Sequence, residues 1–211
     1  MGEAGVQRQE RAVFRPLVAF DFDGTLTSRD SFIEFLTWRH GRAAFVAGLA
    51  RLGFSGLNYL LHRDRGRLKA RFIKEFLGGV TRTELETEAQ AFAGQRGRAL
   101  LRPDAFRAWQ RWQAEGARMI ICTASPDIIV GPIARGLGAD VLIGTRLVFD
   151  AAGKVTGALD GANCRGPEKV RRLREMFGDD VHLEAAYGDS DGDTQMLALA
   201  EEQGMKVFNG R

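Results

Sequence analysis

Leu17-Val18-Ala19-Phe20-Asp21-Phe22-Asp23-Gly24-Thr25-Leu26-Thr27 is the stretch that decides how the chain is read. An unbroken apolar run such as 17–20 fits a strand buried on both faces of a parallel sheet. The run ends on Asp21, and side chains two apart on a strand leave it in the same direction. Asp21 and Asp23 are therefore expected together at the carboxyl end of a central strand, where open α/β sheets bind ligands. Paired carboxylates there can hold Mg²⁺, a hard cation that seeks oxygen. One can attack phosphorus while its neighbour exchanges a proton with the leaving oxygen. The plain alternative is a strand-end turn in which Asp and Gly merely suit the geometry.

Further apolar runs at 118–122, 141–143, 182–187 and 206–208 read as more strands. Helical patterns lie between them. One runs from Pro103 to about 115 with Gly116 as its stop, one opens at Pro126 and ends near Gly136, and one runs from Pro167 to Gly178. A short helix is expected over 193–200. Residues 147–149 and 155–157 flank Asp150-Ala151-Ala152-Gly153 and read as a β-hairpin. Strands alternating with helices argue for an α/β fold with a mostly parallel sheet. Residues 31–100 carry no strand pattern and read as helices near 31–39, 43–61, 66–77 and 81–96. This segment is expected to be a helical cap inserted into a core formed by 16–30 and 101–211, behind a flexible polar arm over 1–15.

The chain has 211 residues, 45% of them hydrophobic and 27% charged, which is a globular make-up with length enough for one large domain or a domain with an insert. Two cysteines, Cys122 and Cys164, are too few for a disulfide framework and point to a reduced, cytoplasmic protein. No apolar signal segment occupies the first sixteen residues. The net charge is +3, with eleven Arg, Lys and His residues crowded between Arg39 and Lys74. Such a run is a solvated helical face or a surface that attracts an anionic partner. Within it, residues 43–61 are uncharged except for Arg51, and that arginine together with three glycines argues against a transmembrane span. This stretch is then buried cap, or an interfacial surface that touches anionic lipid. No nucleic-acid partner is implied.

Three more motifs carry chemistry. Tyr187-Gly188-Asp189-Ser190-Asp191-Gly192-Asp193 follows an apolar run and brings Asp189 and Asp193 to a strand end as further oxygen donors, with Asp191 read as a helix cap. Cys122-Thr123-Ala124-Ser125-Pro126 ends the second core strand with a hydroxyl and N–H groups at a helix N-terminus, a natural phosphate cradle. Gly166-Pro167-Glu168-Lys169 sets a lysine in a first helical turn, where the helix dipole disfavours it unless an anion is near.

Taken in order, Asp-x-Asp-Gly-Thr-Leu, a Thr after a strand, a Lys, and Gly-Asp-x-x-x-Asp resemble the four motifs of the haloacid dehalogenase superfamily over about residues 17–208. The helical insert after the first motif is similar to the branch that includes phosphoserine phosphatases. Asp30-Ser31-Phe32-x-x-Phe35-Leu36, Thr123-Ala124-Ser125-Pro126 and Cys164-Arg165-Gly166-Pro167-Glu168-Lys169-Val170 resemble the phosphatidylglycerophosphatase C and CicA-like phosphatases.

The resemblance implies a Rossmann-like core and a Mg²⁺-dependent phosphatase working through an aspartyl phosphate. It implies Asp21 as nucleophile and metal ligand, and Asp23 as general acid/base with its backbone carbonyl on the metal. Thr123 and Lys169 would hold the phosphoryl oxygens, Asp189 would be the third metal ligand, and Asp193 would support that shell. Asp30 and Arg71 would face the substrate from the cap. Arg165, directly before Gly166, rivals Lys169 for the cation's role. Ala124-Ser125 stands where phosphoserine phosphatases usually have two glycines. That points away from phosphoserine, toward a more apolar small phosphomonoester or a lipid phosphate such as phosphatidylglycerophosphate, with peripheral membrane contact. The alternatives are phosphoserine itself, and a phosphotransferase or phosphomutase. A receiver-type signalling module is disfavoured by the length and the insert.

Overall fold

The computed structural model describes residues 15–62 and 65–210, with side chains described except over 54–62 and at Arg65. The expected arm over 1–15 lies, Arg15 apart, outside the described residues. Strand β1 (Leu17–Phe20) is followed by helices α1 (Ser31–His40), α2 (Arg42–His62), α3 (Arg65–Leu77) and α4 (Arg82–Phe92). A π-helical turn, Ala93–Gly97, and the single turn α5 (Arg98–Leu100) lead to α6 (Pro103–Ala114). Then come β2 (Arg118–Pro126), α7 (Asp127–Gly136), β3 (Val141–Phe149), β4 (Val155–Asp160), α8 (Pro167–Phe177), β5 (Leu183–Gly188), α9 (Thr194–Leu197) and β6 (Ala200–Met205).

The sheet runs β4-β3-β2-β1-β5-β6, parallel throughout except for the β3–β4 hairpin. β1 therefore sits inside the sheet, paired with β2 through Leu17↔Arg118 to Phe20↔Ile121 and with β5 through Val18↔Ala185 to Phe20↔Tyr187. Burial on both faces explains its apolar sequence: Val18, Ala19 and Phe20 are fully inaccessible. One face packs Val18 and Phe20 with Trp109, Met119 and Tyr187. The other packs Ala19 and Cys122 with Leu173, Leu183 and Met196.

Helices α1 to α5 join the first of these clusters, through Phe35, Phe45, Ile73, Leu85, Phe92 and Leu100. Their starts follow ordinary capping chemistry. Asp30 caps α1 by accepting from Ile33 N, and Thr81 caps α4 in a reciprocal pair with Glu84. The turn between α3 and α4 is bonded to the hairpin by three backbone contacts: Gly79 N to Val155 O, Val155 N to Val80 O, and Arg82 N to Gly153 O. Gly157, at φ 91°, lets α3 lie on β4, since a side chain there would run into Lys74. The first half of α2 buries Phe45 and sets Gly48 against the Phe76 ring, while Ala43, Ala44, Val46, Ala47 and Ala50 face outward.

Two expectations are corrected. The last strand is Ala200–Met205, not 206–208. It is an edge strand paired only with β5 among the described residues, so Glu201, Glu202 and Gln203 stay exposed and no apolar run marks it. Phe208 is apolar for another reason: its ring stacks on Phe20 at 6.2 Å and lies 5.3 Å from Tyr187. The helix expected over 193–200 ends at Leu197, because the chain must turn into β6.

Candidate active site

β1 ends at the carboxyl edge of the sheet, and Asp21 follows it, its N–H bonded to Tyr187 O at 2.8 Å. The chain then turns at Gly24, whose φ is 86°. A Cβ at Gly24 would overlap the Asp189 carboxylate, so glycine here both makes the turn and gives Asp189 its place. Asp189 arrives at the end of β5, beside β1. Similarly, Gly188 leaves room for the Asp193 side chain.

Lys169 occupies the centre of this arrangement. It is 1% exposed, and its Nζ donates to Asp21 Oδ1 at 2.6 Å, Asp193 Oδ1 at 2.7 Å and Cys122 O at 2.5 Å. Those contacts use all three of its donors. Burial pulls the lysine's pKa down, but the charges of Asp21 and Asp193 outweigh it and hold the ammonium above its ordinary value. Burial pushes Asp21 up to about 7 against the pull of Lys169, with Asp193 and Asp23 adding to the rise. Burial also raises Asp193, yet Lys169 and Ser190 overcome it and leave the carboxyl below its ordinary value. Asp193 Oδ2 accepts from Ser190 Oγ at 2.9 Å and Ser190 N at 3.0 Å, so both its oxygens are engaged. The helix that carries Lys169 is itself anchored: Arg172 is 5% exposed and donates to Glu168 Oε1, Gly144 O and Ala162 O.

Asp21, Asp189 and Asp193 offer carboxylate oxygens that all lie within 4.8 Å of one another. An all-oxygen, acidic donor set of this kind fits a hard divalent cation. Asp189 is held above the ordinary carboxylate range, by burial and then by the charge of Asp193, against the pull of Lys169.

The Asp23 side chain turns elsewhere. Its Oδ1 accepts from Ser31 N at 2.6 Å, and its Oδ2 from Ser125 Oγ at 2.6 Å and Thr123 Oγ1 at 3.5 Å. Thr123 is 1% exposed and its Oγ1 accepts from Ser125 N at 3.0 Å. The first and second motifs are thus joined through Asp23. Asp30 is exposed at the start of α1. Its carboxyl is pushed up first by surrounding protein and then by the charge of Asp23.

Arg71 is placed on the exposed side of α3. Lys69 of the same helix reaches the site, its Nζ donating to Ala124 O at 2.5 Å. Burial lowers the Lys69 pKa despite the nearby charges of Asp23 and Asp30. Nothing in the sequence distinguishes it from its basic neighbours except helical phase. Arg165 does not enter the cluster around Asp21. It donates to Ser190 Oγ at 3.0 Å and pairs with the exposed Asp191.

The model of the haloacid dehalogenase-like hydrolase family matches residues 18–198, which span the whole of this site. The chain belongs to that family. It is 56% identical over 196 residues to the protein CicA of Caulobacter vibrioides, covering 92% of this chain and 87% of that one. It is 29% identical over 188 residues to a phosphoserine phosphatase of Halobacterium salinarum, covering 87% and 82%. In three dimensions it is similar to a protein of unknown function from Bordetella pertussis Tohama I, with a TM-score of 0.72, 24% identity, and 87% and 86% of the two chains covered. This haloacid dehalogenase-like hydrolase lies in the phosphoserine phosphatase-like branch and is a phosphatase.

Proposed function

We propose that this phosphatase hydrolyses a phosphomonoester through a phosphorylated Asp21, with Mg²⁺ as cofactor. The observation that carries the reading is the set of contacts of Lys169, a buried cation that touches both Asp21 and Asp193 at the end of β1. Asp21 attacks phosphorus, and its bond to phosphorus forms as the ester P–O bond breaks. Asp23 gives its proton to the departing alkoxide. It then takes a proton from water, which attacks the same phosphorus, releases inorganic phosphate and restores Asp21. The two serines on Asp23 keep its carboxyl aimed while it changes roles. Lys169 and Thr123 stabilise the phosphoryl oxygens, and Asp193 positions Lys169. Asp21, Asp189 and the Asp23 carbonyl would hold the cation, which when bound would keep Asp21 ionised and screen its charge from the incoming phosphate.

Helices α1 to α4 act as the cap over a core of 16–30 and 101–211, with Lys69 facing the substrate from the cap and Asp30 from the point where core passes into cap. Incubation with p-nitrophenyl phosphate and Mg²⁺ should release phosphate without an added acceptor. Chelator should abolish release and Ca²⁺ should inhibit it, because looser coordination misplaces Asp21. Full activity after dialysis against EDTA would sink the metal reading, and a requirement for an alcohol acceptor would favour a phosphotransferase.

The substrate we favour is a lipid phosphate or similarly apolar monoester. Support comes from the outward face of α2, where Val46 is 62% exposed among small apolar residues, with Arg42 at one end and Arg51 beyond. No described helix is long and apolar enough to cross a membrane, so contact would be peripheral. The protein should sediment with anionic vesicles at low salt and release at high salt. Indifference to vesicles, with faster cleavage of phosphoserine than of phosphatidylglycerophosphate, would return the substrate to phosphoserine.

A further inference from the structure

Beside the cluster around Asp21 lies a cleft of about 600 Å³, formed where the start of α3 meets the loop after β4, the start of α8 and the turn after β5. Its polar lining includes Arg67, Asn163, Arg165, Asp191 and Gln195. Two short chains of contacts tie it to the groups described above. Arg165 donates to Ser190 Oγ, and Ser190 in turn donates to Asp193, the partner of Lys169. The Asn163 carboxamide lies 3.1 Å from Thr145 Oγ1, which donates to Ala124 O, the acceptor of Lys69. The charge of Arg165 also acts on Lys69, together with Asp23 and Asp30. Hydrogen-bonded neighbours therefore connect the cleft to the proposed phosphoryl site.

Arg165 is held as a fixed cation. Its guanidinium lies so close over Gly192 that a Cβ there would overlap it. Gly166 N donates to Gly192 O at 2.8 Å and closes the two loops on each other. Two of the five guanidinium donors are engaged, by Ser190 and Asp191. The acid has an 85% exposed side chain, and an ion pair so exposed is weak enough to yield to a better-placed anion.

We propose that this cleft binds a second anionic group of the substrate, with Arg165 and Arg67 as the residues that select it. The inference rests on the phosphomonoesterase reading and narrows it. The substrate carries, a few bonds from the scissile phosphate, a carboxylate or a further phosphate, recognised by the planar fork of Arg165 and the amides of Asn163 and Gln195.

The test is calorimetric titration of the full-length Asp21→Asn protein with Mg²⁺ and three probes: propyl phosphate, 3-phosphoglycerate and propane-1,3-diol bisphosphate. At least one of the two probes that carry a second anionic group should bind about tenfold or more tightly than propyl phosphate, as expected for one charge-assisted contact. Which one wins distinguishes carboxylate from phosphate. Arg165→Gln should remove about that factor for the favoured probe and much less for propyl phosphate. Asp191→Asn should act with opposite sign and tighten the favoured probe several-fold. Equal binding of all three probes would overturn the proposal. So would an Arg165→Gln loss that is the same for every probe, since that is the mark of a role in merely shaping the Ser190–Asp193 loop. If the preference and its response to Arg165 appear but the wild-type protein releases no phosphate, the cleft stands and the hydrolase reading falls.

Discussion

Lys169 and Lys69 reach the end of β2 from different elements, α8 and α3, and each donates to a carbonyl there, Cys122 O and Ala124 O, at 2.5 Å. Their surroundings then diverge. Lys169 touches two carboxylates and is sealed from water, whereas Lys69 is half-buried and has Asp23 and Asp30 only as nearby charges. Burial pulls both lysines down, yet the outcomes are opposite, an ammonium held above its ordinary pKa where two carboxylates touch it and below it where none does. The first lysine is part of the framework that keeps Asp21 and Asp193 together. The second is a half-buried cation that touches no carboxylate among the described residues.

The most severe way to break this contrast is Lys169→Met. It leaves Asp21 and Asp193 buried without their cation, so the unfolding free energy should drop by about 3–5 kcal/mol, and turnover should fall by roughly 10²–10³-fold. Urea unfolding beside phosphate-release assays measures both, and a fully stable but inactive protein would show that Lys169 is not structural.

A second test uses pH. The folded pKa of Asp21 is raised to about 7 from an ordinary 3.8. A raised carboxyl contributes stability that is fully present below the lower value and lost as pH climbs through the upper one. Metal-free protein should therefore melt at progressively lower temperature between pH 4 and pH 8, and stabilisation by Mg²⁺ should grow across the same window. A Mg²⁺ effect that is flat over this range would contradict the assignment of Asp21 as a ligand.

The mildest change is Lys69→Met. It should raise KM about tenfold with little change in kcat, and alter stability by less than about 1 kcal/mol, because the lost hydrogen bond is offset by the relief of a buried charge. If Lys69→Met destabilises the protein as much as Lys169→Met does, the two lysines play one role and the contrast collapses.

What the sequence made legible was governed by how local each signal was. Asp21 could be placed because an apolar run stops on it, and Lys169 because a cation in a first helical turn is out of character. Asp189 and Asp193 were likewise marked by the strand before them. Lys69 was hidden among basic residues whose facing depends on the phase of α3. Arg71, which the resemblance implies, lies two residues from Lys69 and so about 200° around the helix. The partners of Asp23 were also out of reach, since Ser31 N and Ser125 Oγ meet it only once α1 and β2 have converged. β6 went unread because an edge strand with exposed glutamates has no need of an apolar pattern.

The backbone bonds between the α3–α4 turn and the hairpin give α3 one stationary end. A helix fixed at its C-terminus is a lever. Lys69 stands eight residues from Leu77, at ~1.5 Å of rise per residue, so its arm is ~12 Å long. A tilt of ~10° about the fixed end would carry Lys69 through ~2 Å, enough to break its contact with Ala124 O, while Arg67 at the cleft would travel farther still. Small angular motion of one helix would thus change the reach of both side chains, with the hairpin as the fulcrum.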